Sequence, residues 1–187
     1  MEDSLKKAML DVARKAIMEK LTGAKLIDKE YLTGRYPRLA GPGAVFVTLN
    51  KEGQLRGCIG SIEAHRMLLD DIIHNARAAA FSDSRFQPVE PDEMEDISIE
   101  ISLLSKPEEV IYSSVDELKG LLVPGKDGVI LSKGFRRAVF LPQVWDKLPS
   151  FDVFFYHLCL KAGLEGDCIY SHPGIYRFEV EIFEEER

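Results

Sequence analysis

Cysteine is scarce in this chain of 187 residues, with Cys58, Cys159 and Cys168 as the whole complement. An odd count without close pairing argues against a disulfide framework and for a reducing compartment. No CxxC or HxxxH pair occurs, so no dedicated metal site is expected. Long apolar runs are missing too, and no window approaches the roughly 18 residues that would suggest a membrane span. Met1-Glu2-Asp3-Ser4 leads into a charged amphipathic stretch, not into the apolar core of a signal peptide. The expectation is a cytoplasmic protein without a membrane anchor. Positive charge is in deficit: 24 Lys and Arg face 31 Asp and Glu, a net charge of −7. Phosphate backbones repel such a chain, which argues against general nucleic-acid binding. The candidates for a local basic patch are Arg56, Arg66, Arg77 and Arg85, or Lys133, Arg136 and Arg137.

What is present is globular in character. Hydrophobic residues make up 45% and charged residues 29%, which excludes global disorder. The length suits one domain, or one domain of two closely packed lobes.

Hydropathy patterning supplies the elements. Leu5, Ala8, Met9, Val12, Ala16, Ile17 and Leu21 recur at helical spacing, with Asp3 or Ser4 as cap and Gly23 as stop. Residues 33–43, with Gly34, Pro37, Gly41 and Pro42, read as a loop. Residues 44–49 and 55–61 read as a hairpin around Gly53. Met67 to Phe81 is predicted helical, with Leu69, Ile72, Ile73, Ala76, Ala79 and Ala80 inward. The following loop, 82–88, is polar, and Pro91 to Glu95 reads as acidic surface. Ile97, Ile99, Ile101 and Leu103 alternate with polar residues, the cleanest strand of the chain. Ser114 and Glu117 suggest a capping box. A second hairpin is expected at 129–131 and 138–141, a short helix near Trp145, a helix over 152–162 and a last strand over 175–183. Hairpins without regular βαβ alternation favour an α+β fold, an antiparallel sheet with packed helices. Two closely associated lobes are expected within a single domain spanning 1–187, the smaller around 106–145.

Leu55-Arg56-Gly57-Cys58-Ile59-Gly60 stands out as the candidate site. Period two places Arg56, Cys58 and Gly60 on one strand face. Two glycines weaken a short strand, and the usual compensation is a bulge or the close approach of a backbone or ligand. A guanidinium near Cys58 favours the nucleophilic thiolate. Glycine amides at Gly57 and Gly60 can donate to an anion. His65, His74 and His157 are the possible bases, and none stands at a telling spacing. A buried Cys58 beside a structural Arg56 ion pair would produce the same string. Glu100, Asp83 and Arg85 are further candidates, as acid/base groups or as ordinary salt bridges.

The string LRGCIG resembles the signature of the AMMECR family. The resemblance continues through Ala78-Ala79-Ala80-Phe81, Asp83, Arg85-Phe86, Pro88 and Ser102-Leu103-Leu104-Ser105. It resumes at Pro124-Gly125-Lys126-Asp127-Gly128, Leu141-Pro142-Gln143-Val144-Trp145 and Leu160-Lys161-Ala162-Gly163-Leu164. It implies an α+β fold with two packed lobes, no settled activity and no named cofactor. It implies a site on Arg56, Cys58, Asp83 and Glu100; the residues themselves add Gly57, Gly60, Arg85 and His65 as expected ligand-binding groups beside it. Prokaryotic members resemble the A component of the AmmeMemoRadiSam system, which implies Memo-like and radical SAM partners by analogy. One departure is Cys168-Ile169-Tyr170, where a tryptophan is expected. Two functions stay open: a binding or accessory protein acting through the motif, and an enzyme using Cys58 as nucleophile or acid/base while Arg56 holds an anionic group.

Overall fold

The computed structural model describes residues 1–186. The chain forms two compact units, Met1–Leu104 together with the chain from Glu181, and Ser105–Val180. The fold is α+β, and every strand pair with a resolved register is antiparallel.

The first unit contains α1 (Asp3–Thr22), α2 (Lys29–Arg35), β1 (Pro42–Lys51), β2 (Gln54–Gly60), β3 (Arg66–Met67), α3 (Leu68–Phe81) and β4 (Ile97–Leu104). Val45, Val47 and Leu49 of β1 alternate with more polar neighbours, as do Ile97, Ile99 and Ile101 of β4. All six are fully buried against α1 and α3. One sheet face therefore carries the core, and the other carries Phe46, Thr48, Ser98 and Glu100. Burying each such side chain is worth roughly 1.5–3 kcal/mol, which is why the period-two pattern specifies this strand so firmly. Helix α1 ends where Gly23 turns left-handed at φ 74°. Its start is capped by the Glu2 backbone rather than by Asp3 or Ser4. Arg14 ties the helix to the end of the chain through both Glu185 carboxylate oxygens and the Met94 and Ile97 carbonyls.

The second unit contains β5 (Glu108–Glu109), α4 (Val115–Leu121), β6 (Gly128–Lys133), β7 (Arg136–Phe140), α5 (Val144–Lys147), α6 (Phe151–Lys161) and β8 (Gly174–Phe178). Its sheet runs in the order β5-β8-β6-β7. Trp145 stacks on Phe154 with ring centroids 3.6 Å apart and donates its indole N–H to the Asp127 carbonyl at 2.8 Å. That satisfies the one polar atom of the indole inside an otherwise apolar core.

Several expectations need correction. Cys159 and Cys168 are joined in a disulfide with Cα atoms 5.8 Å apart, and both are buried. Gly163, at φ 71°, ends α6 and lets the chain double back, so nine residues of separation become a bridgeable distance. Cys58 is the free cysteine. The segment expected as a loop over 33–43 holds the last three residues of α2, a helix whose Asp28 cap accepts from the Tyr31 amide, then a 3-10 turn, Pro37–Ala40, and the start of β1. Glu117 completes no capping box with Ser114: its carboxylate turns to Ser113 while Ser114 caps α4. Pro91–Glu95 is a 3-10 turn with Met94 buried, not simple acidic surface. The last strand is two strands, β8 in the second sheet and β9 (Val180–Glu184) in the first. Phe178 is buried and Ile182 is half exposed, so alternation does not run through both.

Candidate functional site

Strand β2 is an edge strand paired with β1, and the motif lies along it. Leu49 faces Gly57 and Asn50 faces Leu55, so Arg56 is an extra residue in a β-bulge. The period-two reading that set Arg56 and Cys58 on one face breaks at this point. Arg56 turns to Glu93 instead, with Nε 3.0 Å and Nη2 2.8 Å from the two carboxylate oxygens. Nη2 also donates to the Pro88 carbonyl at 3.4 Å, and the guanidinium lies 6.0 Å from the Phe86 ring centre. Lys51 joins the same carboxylate at 3.2 Å. The Arg56 hydrogen bond holds the Glu93 carboxyl down at about 2. This is a partly buried, bidentate pair, the strong form of the interaction.

Asp83 and Arg85 cover the open edge of β2. The Asp83 carboxylate accepts the Cys58 amide at 2.9 Å, and the Arg85 guanidinium reaches the Cys58 carbonyl at 3.4 Å. The two side chains also bind each other, Arg85 Nη2 to Asp83 Oδ2 at 2.6 Å and Nε to Oδ1 at 2.9 Å. The Arg85 hydrogen bond holds the buried Asp83 carboxyl well below the usual carboxylate range, and the Cys58 amide adds to it. A neighbouring strand would offer Cys58 the same donor and acceptor. The pair therefore completes the ladder at Cys58 without another chain.

The Cys58 thiol faces Thr48, whose hydroxyl lies 3.3 Å from Sγ. Thr48 is directly opposite Cys58 on one side and Glu100 on the other. Cys58, Thr48 and Glu100 thus form one row across the sheet face turned away from the helices. At about 4.8 Å per strand, Glu100 stands about 10 Å from Cys58 along the row. Burial pushes the Glu100 carboxyl above its ordinary value, and the nearby Glu184 charge adds to the effect. Like charge and desolvation both favour the protonated acid.

The motif glycines make room for protein. A Cβ on Gly57 would stand 2.3 Å from the Ala79 carbonyl oxygen, and one on Gly60 would stand 2.2 Å from the Phe46 ring. Gly57 lets α3 approach β2, and Gly60 lets the Phe46 ring lie across the strand. His65 is exposed, with Nε2 3.1 Å from Glu63.

Sequence reasoning missed a buried polar cluster beside the motif. Asp71 is fully buried and accepts from the Val45 amide at 2.9 Å, the Ser61 hydroxyl at 2.7 Å and Asn75 Nδ2 at 3.0 Å, while Arg66 Nε lies 3.4 Å away. Asn75 also donates to the Val45 carbonyl at 3.0 Å. The signal was available: Asp71 and Asn75 stand four apart in the α3 stripe that includes Leu68, Ile72 and Ala79. Glu93 was missed because Pro91–Glu95 read as surface. No group of three His, Cys, Asp or Glu able to hold a metal ion occurs among the described residues. No described helix is long and apolar enough to cross a membrane.

Comparison with known proteins agrees with this architecture. A protein of Methanothermobacter thermautotrophicus is 39% identical over 96% of this chain and 94% of its own length. One from Thermofilum pendens is 38% identical over 95% of this chain and 88% of its own. The crystal structure of the uncharacterized protein PH0010 from Pyrococcus horikoshii superposes with a TM-score of 0.81 at 34% identity, covering all of this chain and 94% of that one. The AMMECR1 family model matches residues 10–183. With that match reaching from α1 to β9, the chain belongs to the AMMECR1 family.

Proposed function

We propose that this protein is a binding or accessory component that acts in the cytoplasm with Memo-like and radical SAM proteins, through the surface around the LRGCIG motif. One observation carries the reading. The charged groups around the motif are committed to holding β2 in place: Arg56 to Glu93, and Asp83 and Arg85 to each other and to the Cys58 backbone. A carboxylate held as firmly ionised as Asp83 is a poor proton acceptor near neutral pH. These residues suit a shaped, rigid surface better than acid/base turnover. Co-precipitation of the tagged chain with Memo-like and radical SAM proteins tests the proposal. Retention of both partners by the Cys58→Ser variant is expected. Failure of the unaltered chain to capture either would reject it.

A second reading, an enzyme with Cys58 as nucleophile or acid/base, is favoured by the Cys58–Thr48–Glu100 row and by the raised Glu100 carboxyl. It retains Arg56 as the holder of an anionic group. Alkylation of Cys58 by iodoacetamide across pH separates the two readings. The enzyme reading expects a rate above that of an ordinary thiol and a further pH step removed by Glu100→Gln.

A further inference from the structure

The tip of the β6–β7 hairpin is Lys133-Gly134-Phe135-Arg136-Arg137, and Phe135 is fully exposed. At the tip of the hairpin the whole aromatic ring is left unburied, where a second surface can take it up as an anchor. Three basic side chains surround it in a chain whose net charge is −7. In the same unit, an open groove of about 540 Å³ runs along α6 and the turn that follows it. Tyr156, Leu160 and Tyr170 expose apolar surface there, and Asp152, Glu165 and Asp167 give the groove its charge. No lysine or arginine lines it.

The hairpin and the groove complement each other, one basic around an aromatic, the other acidic around aromatics. They are also neighbours. Lys133 Nζ donates to Ser171 Oγ at 2.6 Å, in the turn that carries Tyr170. The Arg136 guanidinium lies beside Gly163, just past the end of α6. Within one molecule the tip projects into solvent and leaves the groove open. Two adjacent, mutually complementary patches on one surface meet the requirement of an isologous two-fold contact, in which each copy offers both halves.

We propose that this face is a self-association surface, in which the β6–β7 hairpin of one copy seats Phe135 in the α6 groove of a second copy, and reciprocally. Phe135 is the aromatic anchor. The basic and acidic rims set orientation and speed encounter, so the association weakens with salt.

Sedimentation equilibrium of the full chain, from low micromolar to several hundred micromolar, tests this. A monomer–dimer equilibrium is expected, with the dissociation constant raised at least tenfold by Phe135→Ala and raised again by high salt. Arg136→Glu alone, and the double variant Glu165→Lys with Asp167→Lys alone, should each be monomeric. An equimolar mixture of the two should recover a heterodimer, because both reciprocal contacts then pair opposite charges. A folding defect cannot produce that recovery, and unchanged thermal melting of each variant checks it independently. A strictly monomeric unaltered chain, dimerisation unaffected by Phe135→Ala, or a mixture that stays monomeric would each overturn the proposal. So would a monomer that binds phosphatidylserine vesicles through Phe135, which would assign the hairpin to lipid instead.

Discussion

A single carboxylate, Glu93, secures the bulged residue of β2. Its pKa of about 2 lies below its ordinary value of 4.5. A group depressed in the folded state stabilises fully above its unfolded pKa and loses that contribution as the pH falls through the folded value. The Arg56–Glu93 pair is therefore fully stabilising from pH 4.5 upward and fades as the pH drops toward 2. The depression, to which Lys51 and the Glu90 amide also contribute, corresponds to a contribution on the order of 1–3 kcal/mol after solvent screening. Glu93→Gln is expected to lower stability at pH 7 by a few kcal/mol, since it also strands a partly buried guanidinium (~3–5 kcal/mol for breaking a buried pair). It should also flatten the acid limb of the stability curve, leaving the residual slope to groups such as Asp83. Denaturant melts at half-unit pH steps would show this, and an unchanged acid limb in the variant would contradict it.

At the scale of the element, β2 depends on close fit as much as on its ladder. Its inner face meets α3 backbone to backbone at Gly57, and its outer edge is closed by Asp83 and Arg85. A methyl group at Gly57 would be pressed against the Ala79 carbonyl oxygen, which cannot move without shifting α3. Gly57→Ala is expected to destabilise the protein by about 1–3 kcal/mol, the usual range for overpacking. Gly34→Ala is the control: it lies in α2 with open space around the added methyl, and it should be neutral or gain up to ~1 kcal/mol of helix propensity. The chemical denaturation midpoint of Gly57→Ala should fall while that of Gly34→Ala stays or rises, and equal shifts would refute the close-approach account.

For the whole molecule, each unit has its own apolar core, and the disulfide belongs to the second. Closing a loop of this length is worth about 2–3 kcal/mol in the chain-entropy model. Cys168→Ser should lower the melting temperature of the second unit. Trp145, the one tryptophan of the chain, is buried in that core and reports on it by fluorescence. Amide exchange of α1 and α3 under the same conditions should be unchanged. Equal loosening of both cores would show that the disulfide acts beyond its own unit.

The sequence by itself determined what depends on neighbours along the chain. The α1 stripe, the β4 alternation and the stop at Gly23 follow from local periodicity and φ preference, and they stand where the residues put them. The motif was legible as a place, because two glycines in one short strand demand a close approach. Only the tertiary structure decided what made the approach: a helix carbonyl at Gly57 and an aromatic ring at Gly60. It also moved Arg56 off the Cys58 face, since a bulge is a property of the strand pair and leaves no mark in one strand's pattern. The Cys159–Cys168 bridge, the pairing of Arg56 with Glu93 across 37 residues and the Cys58–Thr48–Glu100 row were equally invisible. Each joins segments brought together by register and chain reversal, and periodicity along a chain carries no information about which distant segment will lie alongside it.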